Sequence, residues 1–153
     1  MNAIILSAIW GVVMMYTGVV TKKKSTPKVV AIVGIILLIV ASWLEYAGLS
    51  FFNIQTGGML SFSTFGLVFN LVAFVATLFY FLLSGSDMEN VGDNVADYFA
   101  LIFFVLCGVS IASSFSSLLM LFLGIEIMTI PLYILAASDK RNLKSNEAAL
   151  KYF

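Results

Sequence analysis

The sequence predicts an all-α integral membrane protein with five transmembrane helices plus the start of a sixth. Three observations carry this. Of 153 residues, 61% are hydrophobic and only 10% charged, whereas a water-soluble domain is about a quarter charged. The mean hydropathy of +1.07 leaves too little polar surface to face water. The apolar residues also fall into separate runs near the ~20 residues that let a helix cross hydrocarbon with its own backbone satisfied. The alternating pattern of a membrane β-barrel is absent.

Helix 1 is expected over Asn2–Val20, ending at a segment with four lysines (Lys22, Lys23, Lys24, Lys28) and Pro27. The run could be mistaken for a signal peptide, but its lysines follow the apolar stretch rather than precede it, so it reads as a retained helix. Helix 2 is expected over Val29–Tyr46, with Trp43 and Tyr46 at the interface where such rings settle. Glu45, in the same last turn, is read as a carboxylate reaching headgroup water. The uncharged loop Ala47–Phe65 carries Gly57-Gly58 and is apolar enough to lie in the interface or against neighbouring helices. Helix 3 covers Gly66–Leu83. Asn70 and Thr77, seven apart on one face, read as interhelical hydrogen-bonding residues.

Ser84–Asp97 is acidic, with Asp87, Glu89, Asp93 and Asp97. Its spacing does not fit an EF-hand loop, so it reads as a solvated surface loop. Helix 4 is expected over Tyr98–Ser113. The serines at 113, 114, 116 and 117 then break what would otherwise be an apolar run of about twice the hydrocarbon thickness. Serines cap helix starts, so a tight turn is expected, with helix 5 beginning at Leu118. After the charged loop Asp139–Lys144, Ser145 or Asn146 is expected to cap a sixth helix, with Glu147 in its first turn. That helix has barely begun at Phe153, and the sequence is expected to stop inside it.

Loops 1, 3 and 5 hold seven of the eight basic residues, and loops 2 and 4 hold none. The positive-inside rule therefore puts loops 1, 3 and 5 in the cytoplasm and the N-terminus outside.

Other classes are excluded or disfavoured. Net charge is zero and no basic patch suggests nucleic acid. There is no histidine, and the single cysteine, Cys107, reads as a small apolar residue. No CxxC pair, GxGxxG or P-loop occurs, so this chain by itself is expected to bind no metal, nicotinamide, flavin, nucleotide or iron–sulfur cluster.

One residue carries chemistry. Glu126 lies about ten residues, or roughly 15 Å, from either end of helix 5, near the bilayer midplane. An acid at that depth is costly and is functional by default. Burial raises a carboxylate pKa and a nearby cation lowers it, so such a group can exchange protons if a partner charge comes and goes. Pro131 frees the carbonyl of Ile127, beside Glu126, and a kink there would leave room for water. Gly124 gives the acid little cover. Lys151 is the one basic residue outside the loops. It reads either as a lysine snorkelling to the interface or as an ion-pair partner of Glu126.

The stretch Ser114–Phe153 resembles the N-subunit family of the bacterial proton-pumping NADH–quinone oxidoreductases, respiratory complex I. The likeness lies in Leu123-Gly124-Ile125-Glu126, in Pro131-Leu132-Tyr133 and in Glu147-Ala148-Ala149-Leu150-Lys151-Tyr152-Phe153. The resemblance implies an antiporter-like bundle of two inverted repeats, each with a broken helix. Residues 1–96 would be an N-terminal three-helix region and 97–153 the start of the first repeat. It implies that Glu126 and Lys151 belong to a line of buried charges that passes protons, driven by quinone reduction elsewhere. NADH, FMN, iron–sulfur clusters and quinone would be bound by partner subunits. The partners implied are the other membrane subunits and the lipid bilayer, and the location implied is the bacterial inner membrane. Family members are longer, so this stretch alone is not expected to be active.

Two other readings stand beside it. One is a subunit of a multi-subunit cation/proton antiporter, separable by its neighbouring genes. The other is a small helical anchor or assembly protein, which predicts a stop codon after Phe153 and tolerance of Glu126→Leu.

Overall fold

The computed structural model describes residues 1–21, 25–49, 51–52, 55–83, 95–138 and 143–153. Most of the acidic loop and the charged segment 139–142 lie outside the described residues. Six helices are described: α1 (Asn2–Val20), α2 (Ser25–Tyr46), α3 (Thr64–Leu83), α4 (Val95–Ser113), α5 (Leu118–Ala136) and α6 (Leu143–Tyr152). The first five are long and apolar enough to cross a membrane.

Four helices, α2, α3, α4 and α6, begin earlier than the sequence reading placed them, α3 at Thr64 rather than Gly66. α2 starts at Ser25 and takes Pro27 into its first turn. Proline is tolerated there because its missing N–H would have no intrahelical partner. α4 starts at Val95, so Asp97 stands in its first turn, where a carboxylate suits the helix dipole. The division at 96/97 therefore falls inside a helix.

α4 is the centre of the bundle. Ten of its residues are buried, against two on α5. Phe99 and Phe103 meet Phe81 of α3 at centroid distances of 4.9 and 6.0 Å. α1 packs on α4 through its small residues, and Cys107 is buried with its Sγ 3.6 Å from the Ile4 carbonyl. α2 receives Trp10 of α1, whose Nε1–H donates to the Val30 carbonyl at 3.2 Å. Gly34 makes this possible, because a Cβ there would lie 1.8 Å from the indole nitrogen.

One end of the bundle is tied by polar groups. Glu45 is not in headgroup water. Its side chain is 8% exposed and binds the Met1 ammonium, and it accepts the Asn2 amide at 3.0 Å. Burial pushes the Met1 ammonium below its ordinary pKa, against the opposing hydrogen bond and charge of Glu45. Fully buried Asn2 turns its Oδ1 to the amides of Phe51 and Phe52, both at 3.2 Å. Farther along the same loop, Leu60 forms an antiparallel bridge with Phe115, with Ser61 N donating to Ser114 O at 2.8 Å. Loops 2 and 4 thus meet at one end, as alternating helix directions require. Among the described residues Thr77 makes no interhelical bond of the kind expected: its hydroxyl donates to the Ala73 carbonyl of its own helix at 2.8 Å. Asn70 is buried, and its Oδ1 has no partner among the described residues.

Candidate functional site: an intramembrane carboxylate on the open face of α5

The start of α5 is built as the serines predicted. Ser117 is the N-cap, and its Oγ accepts the Met120 amide at 3.3 Å. The helix then runs to Ala136 with Pro131 inside it.

The two faces of α5 differ sharply. Gly124 is buried against α4: a Cβ there would lie 2.7 Å from the Ala112 nitrogen. Gly108 answers from α4, where a Cβ would lie 2.6 Å from the Met128 nitrogen and 2.8 Å from the Gly124 carbonyl. The two backbones touch because neither residue has a side chain. Gly124 therefore does not leave the acid uncovered, as its size suggested. It is the contact that seats the helix. Pro131, seven residues on, is buried on the same side.

Glu126 points the other way. Two residues turn an α-helix by about 200°, so packing Gly124 on α4 aims Glu126 out of the bundle. The residue is exposed. Around it lie Leu119, Phe122, Ile130 and Ile134, all more than half exposed. Among the described residues no side chain hydrogen-bonds or ion-pairs with its carboxylate. Its backbone carbonyl accepts the Thr129 hydroxyl at 3.2 Å. A groove of about 490 Å³ between α3, α4 and α5, lined by Phe65, Phe69, Val109, Phe115 and Met128, does not include the acid.

Glu126 and Lys151 are not brought together. Lys151 pairs with Glu147, one turn back on α6, at 2.7 Å, with both side chains well exposed. α6 starts at Leu143, so Ser145 and Asn146 lie inside it rather than capping it, and Glu147 is past its first turn. Ser145 instead donates its hydroxyl to the Ala136 carbonyl at 2.6 Å, fastening α6 to the end of α5. Sequence reasoning missed Glu147 as the partner, although Glu-x-x-x-Lys is the spacing and order that pairs well on a helix.

Among the described residues the arrangement offers a carboxylate midway along a helix of membrane-crossing length, on an apolar face, and an exposed ion pair on α6. The described residues hold no cluster of metal-binding side chains.

Residues 115–153 match the family described as NADH:quinone oxidoreductase/Mrp antiporter, TM. This is the segment that holds Glu126, Gly124 and Lys151. Over its whole length the chain is 39% identical to the NADH-quinone oxidoreductase subunit N of Cytophaga hutchinsonii, covering 33% of that protein. It is 38% identical to the subunit N of Flavobacterium johnsoniae, over 78% of this chain and 27% of that one. With the subunit N of Flavobacterium psychrophilum it shares 33% identity over the whole chain and 33% of the relative. The chain spans about a third of the length of the curated relatives it matches most fully.

Proposed function

We infer that the chain, similar over its whole length to the subunit N of two NADH-quinone oxidoreductases, belongs to their family as a membrane subunit that passes protons while electrons move from NADH to quinone in other subunits. The observation that carries the reading is Glu126. It is an acid halfway along a transmembrane helix, held on an outward apolar face by the Gly108–Gly124 contact behind it. Lipid cannot solvate a carboxylate, so this face is one that protein or confined water must meet. A carboxyl in that setting changes its proton affinity when a charge approaches or leaves. That is the property a conformationally driven pump needs.

In this reading the chain has no redox role. NADH, FMN, iron–sulfur clusters and quinone belong to partner subunits. Lys151 serves as a second charged group near the end of the path, paired with Glu147 when not engaged. α1 to α3 form a supporting region, and α4 to α6 open the proton-carrying repeat. The protein sits in the bacterial inner membrane with its lysine-bearing loops in the cytoplasm.

A cation/proton antiporter subunit is the second reading, favoured by the family description, which covers both kinds of protein. Glu126→Ala in the complete complex separates them. Reduced NADH-driven proton uptake with normal assembly supports the first reading. Unchanged quinone reduction and proton uptake overturn it.

A further inference from the structure

Asn70 of α3 and Ser110 of α4 are 2% and 0% exposed. Among the described residues, neither the Asn70 Oδ1 nor the Ser110 Oγ has a hydrogen-bond partner. An orphaned polar atom in an apolar interior is costly, and native interiors rarely keep one. Serine and threonine in a helix can turn the hydroxyl to a carbonyl three or four residues back. Ser7, Thr17, Thr77 and Ser113 all do so here. Ser110 does not. Asn70 has no such recourse, because the amides inside a helix are already used.

The two orphans face each other. Phe81 of α3 meets Phe99 of α4 edge to face at 4.9 Å between centroids. Asn70 lies eleven residues before Phe81, and Ser110 eleven after Phe99. Eleven residues make about three whole turns, so each polar residue shares a helix face with its ring. The helices are antiparallel, so both steps lead the same way, roughly 16 Å toward the end where loops 2 and 4 meet. A second contact fixes the register at that end: a Cβ on Gly66 would lie 2.6 Å from the Ser113 carbonyl oxygen. One turn inward from that contact, α3 presents Asn70 and α4 presents Ser110.

The seam has a different filling at the two levels. Farther in, Phe81 packs on Phe99 and Phe103. At the Asn70–Ser110 level two short side chains stand where rings stood. They do not bond to each other, although one is an acceptor and the other a donor. Whatever spans them has to donate to Asn70 and accept from Ser110, and water does both. The next residues inward on these faces are Phe74 and Leu106, both buried and apolar. A hard metal cation takes about six oxygen ligands, more than two neutral side chains beside an apolar wall supply.

We propose that Asn70 and Ser110 hold one ordered water molecule, which donates to the Asn70 Oδ1 and accepts the Ser110 hydroxyl. Internal waters serve otherwise unpartnered groups in this way. The bridge ties α3, the last helix of the supporting region, to α4 at the centre of the bundle. It does not rest on the proton-carrying reading of Glu126.

Cryo-electron microscopy of the assembled complex, at a resolution that shows ordered water, is the first test. One density peak about 2.7–3.0 Å from each side chain is expected. Direct contact of Asn70 with Ser110, or no peak, overturns the site. A peak nearer than about 2.5 Å, ringed by further oxygens, is a metal cation and overturns the water. The second test reads coupling, by hydrogen exchange of the α3 and α4 peptides in the complex. Asn70→Leu and Ser110→Ala each break the bridge and should speed exchange there about tenfold. The double variant leaves neither group stranded and should be no faster than the quicker single variant. Effects that multiply in the double variant would show two independent residues and overturn the shared water. If Asn70→Leu does not accumulate in the membrane, the density in the parent complex decides.

Discussion

Gly124 and Glu126 stand two residues apart on α5 and face opposite ways. Gly124 is pressed so closely on α4 that a Cβ would fall 2.7 Å from the Ala112 nitrogen. Glu126 is thereby aimed out of the bundle, into a stripe of exposed apolar side chains. One close backbone contact fixes the orientation of the acid.

Gly124→Val should therefore damage the site without touching the carboxylate. The obstructing atoms are backbone and cannot swing away. Overpacking of this kind costs about 1–3 kcal/mol. Gly108→Val should do the same from the other helix. Reduced thermal stability of the solubilised complex, together with reduced coupled turnover, is the expected result. Stability equal to that of the parent in both variants would show that the α4–α5 contact is not what seats the helix.

Glu126→Gln isolates the charge. The amide keeps the size of the side chain and loses its titration. With no side-chain partner among the described residues, the change should leave assembly intact. Coupled proton uptake should nevertheless fall as far as in Glu126→Ala. A glutamine variant that pumps like the parent would show that hydrogen bonding, not proton exchange, is what the position needs.

Lys151→Ala should be milder than Glu126→Ala. Its partner is Glu147 at 2.7 Å on an exposed helix face. Exposed pairs at this spacing contribute only about 0.3–0.5 kcal/mol. Exchanging Glu147 and Lys151 should keep α6 helical, whereas exchanging Glu126 and Lys151 should not restore turnover. Restoration by the second exchange, measured as NADH-driven proton uptake, would show that the two residues pair during the cycle.

Asn2→Ala should loosen the loop after α2. The side chain serves the amides of both Phe51 and Phe52 from a fully buried position. Each of these hydrogen bonds contributes about 0.5–1.5 kcal/mol. Faster proteolysis or hydrogen exchange within residues 47–63, with α4 and α5 unchanged, is the expected readout. Unaltered exchange there would mean that the Leu60–Phe115 bridge holds the loop by itself.

Hydropathy alone determined how many of the described helices are long and apolar enough to cross a membrane and which residue is out of place among them. Five apolar runs, a serine break before Leu118 and one carboxylate at mid-helix need no neighbours to be read, because lipid demands apolar side chains and internally bonded backbone wherever the chain crosses. The cap at Ser117 was legible for the same reason: it is a contact within three residues.

What depends on neighbours was decided by packing. Glu45 was read as an acid in headgroup water, yet α1 brings the Met1 ammonium and the Asn2 amide to it across 43 or more positions of sequence. Lys151 finds Glu147, because an α-helix sets residues four apart side by side whatever lies elsewhere. The direction in which Glu126 points could not be read from an apolar run with no polar face. It was set when Gly108 and Gly124 let two backbones touch, and only then did α5 acquire an inside and an outside.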